Sequence, residues 1–284
     1  MKDRYVRFDW AIKRLLRQKA NFGVLEGFLT VFLGEKVTIV DILESEGCQE
    51  RGLVNPYVVD VKAKSANGEF IIAEIQYLYE VCYRERLLYG NELRRKAFSQ
   101  VCSDCVSNVY SFNILDFSVG NGMDFLYKGQ TYFNGIYAED ELEMANRQRD
   151  AIVRKSSDGV SPIYYLIRAK DFDKIAVSPM EEWMNYLKSG IINADAKAPG
   201  LQEAREKLLY YQMDEAERQA YDEHLNAVMI QHDVLRNARA EGRAEGIRQK
   251  TTEQIARNML AFGMPREQIA QITGLGIAQV DALS

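Results

Sequence analysis

Asp60, Glu74 and Gln76 stand in two strongly strand-like runs of this 284-residue chain. Successive strand residues point to opposite faces. In Tyr57–Lys64, Val59, Val61 and Ala63 therefore form an apolar face, and Asp60, Lys62 and Lys64 share the other. In Phe70–Gln76, Ile71, Ala73 and Ile75 take one face, and Ile72, Glu74 and Gln76 the other. Two carboxylates on one face repel and need a cation, and hard oxygen ligands point to Mg²⁺ or Mn²⁺. The competing account of the same pattern is a polar, solvated sheet face. Parity in the connection decides whether the acids can meet. Directly opposed residues of an antiparallel pair share a face and have a constant index sum. Pairing Asp60 with Glu74 then requires a loop with an odd number of residues, unless a bulge lower in either strand repairs the parity. Asn67-Gly68 is a strong hairpin signal, because both residues tolerate positive φ. A two-residue turn there would send the acids to opposite faces. The expected loop is Ala66-Asn67-Gly68, with Ser65 opposite Glu69 and Gly68 left-handed.

Other groups carry weaker chemistry. Cys102-x-x-Cys105 lacks a second ligand pair for zinc and reads as two half-buried thiols on a helix. His224 and His232 lie eight apart without a catalytic partner and read as surface residues. Gly120-Asn121-Gly122 is a turn with no phosphate-binding motif around it, and no Ser/His/Asp arrangement is readable.

The elements that must position these groups follow from periodicity. Phe8 to Phe32 reads as helix, with Gly23 as its break, and Val37–Leu43 as a strand. After the hairpin, a helix is expected from about Tyr79 to Val106. Strands are expected at Val109–Phe117 and Ile163–Arg168, with the charged segment Glu139–Gly159 between them as a surface excursion. Trp183–Lys188 looks helical, and strand signals cease from Leu201 onward. The expectation is an α/β part over residues 1–195 and an all-helical part over 196–284. Leu201–Ile247 reads as long helices ending in Arg239-Ala240-Glu241-Gly242 and Arg243-Ala244-Glu245-Gly246, which stack Ala238, Gly242 and Gly246 on one face. Residues 252–284 read as three helices parted by Gly263-Met264-Pro265 and Gly274-Leu275-Gly276. They fit a helix-turn-helix or a plain three-helix cap, and the cap is the favoured reading.

An acid on one strand followed by Glu74-Ile75-Gln76 on the next resembles the active-site pattern of the PD-(D/E)xK nucleases, an acid and then (D/E)-x-K. More specifically, the chain resembles the Rpn family of recombination-promoting nucleases and transposases, in which the last lysine is commonly glutamine. Asp9 with Lys13 in the first helix, Arg86-Leu87-Leu88-Tyr89, Ile163–Ile167, Glu181–Lys188 and Gln268–Gly274 add to the likeness, which spans nearly the whole chain. The resemblance implies a restriction-endonuclease-like core with a mixed central sheet flanked by helices. It also implies metal-dependent endonucleolytic hydrolysis of DNA phosphodiester bonds, associated with recombination or transposition. Asp60, Glu74 and the Ile75 carbonyl would hold Mg²⁺ (or Mn²⁺), and Gln76 would replace the superfamily lysine without its charge. Asp9 is a further acid that could stand near the metal. Lys13, Arg86 and Tyr89 suit contact with the DNA backbone. Lys62, on the Asp60 face, is a candidate for the missing charge; that inference comes from the strand pattern. The alternative is a catalytically weak DNA-binding or assembly protein that keeps the nuclease fold.

Composition constrains the remainder. The net charge is −5, with 36 basic and 41 acidic residues, so binding of nucleic acid would depend on local patches. Two basic segments exist. Residues 1–20 carry seven cationic side chains against two acids, and residues 82–100 carry five against two. Four cysteines in so long a chain do not make a disulfide framework, the start is charged, and no apolar run is long enough to span a membrane. A cytoplasmic protein, homodimeric through its helical tail, is the expectation.

Overall fold

The computed structural model describes residues 4–43, 58–78, 106–117, 119–130, 132, 134–137, 144–148, 151–155 and 163–283. The chain divides into two compact units, Met1–Glu215 and Ala216–Ser284. The first opens with α1 (Phe8–Arg14), a 3₁₀ turn (Lys19–Asn21) and α2 (Phe22–Leu33). The helical run therefore breaks at residues 15–21, and Gly23 lies in the first turn of α2, where a side chain would meet the carboxylate of Glu203. Strands β1 (Thr38–Leu43), β2 (Val58–Lys64), β3 (Phe70–Leu78), β4 (Val106–Leu115), β5 (Leu126–Gly129) and β8 (Ile163–Ile167) form a six-stranded sheet in the order β1-β2-β3-β4-β8-β5. It is mixed: β3, β4 and β8 run parallel to one another, and the remaining neighbours pair antiparallel. Residues 139–159, read from the sequence as an excursion, include a separate hairpin of β6 (Met144–Gln148) and β7 (Ala151–Lys155).

The parallel pairs require crossovers, so both sheet faces need cover. One face carries Val59, Val61, Ile71, Ala73, Ile75, Phe112 and Ile167, all buried. Aromatic residues close it. Phe28 of α2 meets Phe112 edge-on at 5.5 Å, and Trp183 of α3 (Pro179–Ser189) meets Phe28 at 5.3 Å and Phe8 of α1 at 5.7 Å. Helix α3 begins with Pro179 behind a capping box, in which Ser178 accepts from the Glu181 backbone N–H and Glu181 accepts from that of Ser178. Helix α4 (Leu201–Lys207) also belongs to this unit. Gly27 of α2 lies so close to Pro199 and Gly200 that an added Cβ would stand 2.2 Å from the Gly200 nitrogen.

The second unit is built on α5 (Glu215–Ala261), which continues through both Arg-Ala-Glu-Gly repeats without interruption. Two short helices follow, α6 (Arg266–Thr273) and α7 (Ile277–Asp281). Ala256, Ile269 and Val280 form their buried centre, with Met259, Leu260, Met264 and Leu275 packed around it. Gly263 and Gly274 turn the chain at φ +76° and +73°. Among the described residues no helix is long and apolar enough to cross a membrane.

Candidate active site

The site is assembled by the hairpin register. Asp60 of β2 pairs directly with Glu74 of β3, and Val58 with Gln76. The constant index sum continues to Lys64 opposite Phe70, and the Ser65 amide donates to the Glu69 carbonyl at 2.9 Å. The loop is therefore Ala66-Asn67-Gly68, closed by the Gly68 amide on the Ser65 carbonyl at 3.0 Å, with Gly68 at φ +80°. The odd count expected from parity is present, and the two acids share a face. Asp60 is 1% exposed and Glu74 half-buried. Like charges directly opposite across a sheet are destabilising, and burial sharpens the cost.

Strand β4 adds two polar residues to the same face. Ser111 pairs with Glu74 and Asn113 with Gln76. The Ser111 hydroxyl donates to Glu74 Oε2 at 3.1 Å, and Gln76 Nε2 donates to Asn113 Oδ1 at 2.6 Å. Asn113 Nδ2 donates in turn toward the Ser111 carbonyl at 3.1 Å, the Ser111 hydroxyl at 3.2 Å and the Tyr165 carbonyl at 3.4 Å. Gln76 is 3% exposed, and its Oε1 is buried without a hydrogen-bond partner. Sequence reading missed Ser111 and Asn113. The available signal was two polar residues spaced by two, alternating with Tyr110, Phe112 and Ile114.

Not every expected residue joins this cluster. Asp9 is wholly buried, but its carboxylate accepts from Arg7 Nε at 3.3 Å and from the Trp10 amide at 2.9 Å. Arg7 also donates to the Tyr77 hydroxyl at 3.1 Å, and Tyr77 stands on the β3 face opposite Glu74 by alternation. Burial pushes the Tyr77 hydroxyl well above its ordinary pKa; the Asp116 and Asp9 charges add to this, and Arg7 opposes it. Lys62 shares the Asp60 face, but its ammonium lies over the Phe70 ring at 4.6 Å, toward the loop end of the hairpin. Lys13 Nζ lies 5.9 Å from the Trp10 ring centroid. Ile75, the middle residue of Glu74-Ile75-Gln76, has its side chain buried on the opposite face from the acids. Arg86, Tyr89, Cys102 and Cys105 lie outside the described residues.

The donor set fits a hard divalent cation. It offers two adjacent carboxylates and a buried amide oxygen that lacks a donor. No group of three His, Cys, Asp or Glu side chains able to hold an ion stands among the described residues, so Asp9 does not complete a three-acid cage. A pair of carboxylates with open positions is the arrangement Mg²⁺ tolerates, because it keeps waters and takes oxygens from phosphate.

Residues 6–130 match the model of the PD-(D/E)XK nuclease family transposases, a span that holds Asp9, Asp60, Glu74, Gln76 and Asn113. Residues 249–284 match the C-terminal HTH domain of the Rpn/YhgA-like nuclease family. Together the two matches support the Rpn/YhgA-like nuclease family. The second match also corrects one expectation: the final three helices correspond to the family's HTH domain, where sequence reading favoured a plain cap. Neither curated proteins nor solved structures return a match. For an Rpn/YhgA-like nuclease, the mixed six-stranded sheet and helical C-terminal region are the expected α/β architecture.

Proposed function

We propose that this chain is a divalent-metal-dependent DNA endonuclease, acting in recombination or transposition, with Asp60, Glu74 and the Ile75 carbonyl as the ligands of Mg²⁺. The observation that carries the reading is the direct pairing of a buried Asp60 with Glu74 inside the span matched by the nuclease family. When bound, the ion would polarise the scissile phosphate and lower the pKa of a coordinated water. The chain's own residues do the positioning. Ser111 holds one Glu74 oxygen, and the hairpin register holds the two carboxylates opposite each other. Gln76 presents Oε1 as an unoccupied acceptor and supplies no positive charge. DNA is the proposed partner of both the nuclease domain and the HTH domain. Homodimerisation through the helical second unit would supply two sites for a double-strand break.

One observation favours the alternative of a catalytically weak, DNA-binding member. Lys62 and Lys64 both direct their ammonium groups to the Phe70 ring, at 4.6 and 5.0 Å, so neither takes the place of the superfamily lysine. Plasmid nicking separates the two readings. With Mg²⁺ the wild type should nick supercoiled plasmid, EDTA should abolish it, and Asp60→Asn should lower the rate at least about a hundredfold, as expected where the metal contributes several kcal/mol. DNA retention in a gel without nicking under any divalent ion would favour the second reading.

A further inference from the structure

Gln76 is only 3% exposed, yet only one end of its amide is satisfied. Which end is settled by a residue outside the Asp-Glu-Gln pattern. Three oxygens surround one side of the Asn113 side chain: the carbonyls of Ser111 and Tyr165 and the hydroxyl of Ser111. None of the carbonyls can donate, so that side must carry the amide nitrogen of Asn113. Its oxygen therefore faces Gln76. An oxygen there demands a donor, so Gln76 presents Nε2 to it, at 2.6 Å. The opposite flip would set acceptor against acceptor. The two terminal atoms of an amide diverge from one carbon, and Asn113 lies on β4, on one side of β3. The carbonyl oxygen of Gln76 is thereby turned away from β4, and β2 with Asp60 is the strand on the other side. The same Asn113 nitrogen donates to the Ser111 hydroxyl, which leaves the Ser111 proton free to go to Glu74 Oε2.

We propose that Asn113 is the positioning residue of this site: it fixes Gln76 as an oxygen donor toward the metal and, through Ser111, fixes Glu74. In this chain the glutamine would not imitate the superfamily lysine as a hydrogen-bond donor. It presents an acceptor, and a cation or a cation-bound water is the partner that its buried Oε1 fits. The inference rests on the metal-site reading above.

The test is direct Mn²⁺ binding by full-length protein, followed by electron paramagnetic resonance of the free ion without DNA. Wild type, Asp60→Asn, Gln76→Met, Asn113→Leu and the Gln76→Met/Asn113→Leu double variant are compared at a temperature where circular dichroism shows each folded. Asn113→Ala replaces Asn113→Leu if the leucine variant does not fold. Asp60→Asn should abolish binding. Gln76→Met and Asn113→Leu should each weaken it roughly tenfold, the scale of groups that orient metal ligands. The double variant should be no weaker than Asn113→Leu alone within about twofold, because Asn113 acts through Gln76. Wild-type affinity in Asn113→Leu, or independent losses that multiply in the double variant, would overturn the role of Asn113 and leave the metal site standing. Absence of Mn²⁺ binding in the wild type would overturn both.

Discussion

Tyr77 shows how one strand serves two sites. Its neighbours Glu74 and Gln76 face the candidate metal site, while its own hydroxyl on the opposite face accepts from Arg7, which also pairs with Asp9 and stands 3.8 Å from Asp116. Burial and the two acids hold its pKa well above 10.0, so the neutral phenol is the folded form. The sign follows from linkage: a group whose folded pKa is raised contributes stability fully below the unfolded value and loses it as pH climbs toward the folded one. The wild type should therefore lose stability as pH rises above about 10. Tyr77→Phe removes the titration and the bond to Arg7. It should cost about 1–2 kcal/mol at pH 7 yet show a shallower decline above pH 10. Urea unfolding from pH 7 to 11 measures both, and equal alkaline slopes in the two proteins would refute the account.

At the scale of elements, the hairpin and α2 place two glycines under different demands. Gly68 has φ +80° and open space where a Cβ would stand, so Gly68→Ala tests backbone strain alone. The left-handed conformation costs an L residue about 1–2 kcal/mol. Gly27 is helical, and an added methyl would strike the backbone of Gly200 and Pro199 at 2.2 and 2.3 Å. Overpacking against backbone that cannot move aside costs about 1–3 kcal/mol or more. Gly68→Ala should lower stability modestly and retain the site, because the loop keeps its odd count. Gly27→Ala should separate α2 from the segment that leads into α4, with the larger loss in thermal unfolding. Calorimetry on the two variants ranks them; a smaller loss at Gly27 would contradict the close approach.

For the molecule as a whole, the boundary between the units has a measurable consequence. Leu201, Ala204 and Leu208 are almost wholly buried, and the Val6 amide donates to the Leu208 carbonyl at 2.8 Å. Tyr5 also bridges to Leu209, and Lys207 reaches the Ala20 carbonyl. A chain cut after residue 200 loses two buried leucines, each worth about 1.5–3 kcal/mol, and should fail to fold. One cut after Glu215 keeps them and should fold. Circular dichroism compares the two truncations. Sedimentation of the full chain should give a dimer at micromolar concentration and the form cut after Glu215 a monomer; a full-length monomer would count against association through the second unit.

Much of this protein was readable from residue order because the relevant physics is local. Alternation of apolar and polar residues marks β2 and β3, and parity called for an odd loop, absent a bulge, once Asp60 and Glu74 were required to share a face. Glycine and proline likewise marked the turns of the last three helices. What periodicity could not supply was contact between distant segments. The break between α1 and α2 falls at residues 15–21 and not at Gly23; Gly23 and Gly27 instead serve close approach to Glu203 and Gly200, partners more than 170 residues away. Asp9 was drawn toward the metal by the resemblance, but its carboxylate accepts from Arg7, which also donates to Tyr77 on the other sheet face. Lys62 lies on the expected face yet turns to Phe70, a choice made by a ring that strand pairing brings near. Ser111 and Asn113 became part of the site only when β4 took its place parallel to β3. Sequence alternation determines which face a side chain takes; only the register between strands, set by burial and hydrogen bonding across the whole sheet, decides which side chain it meets there.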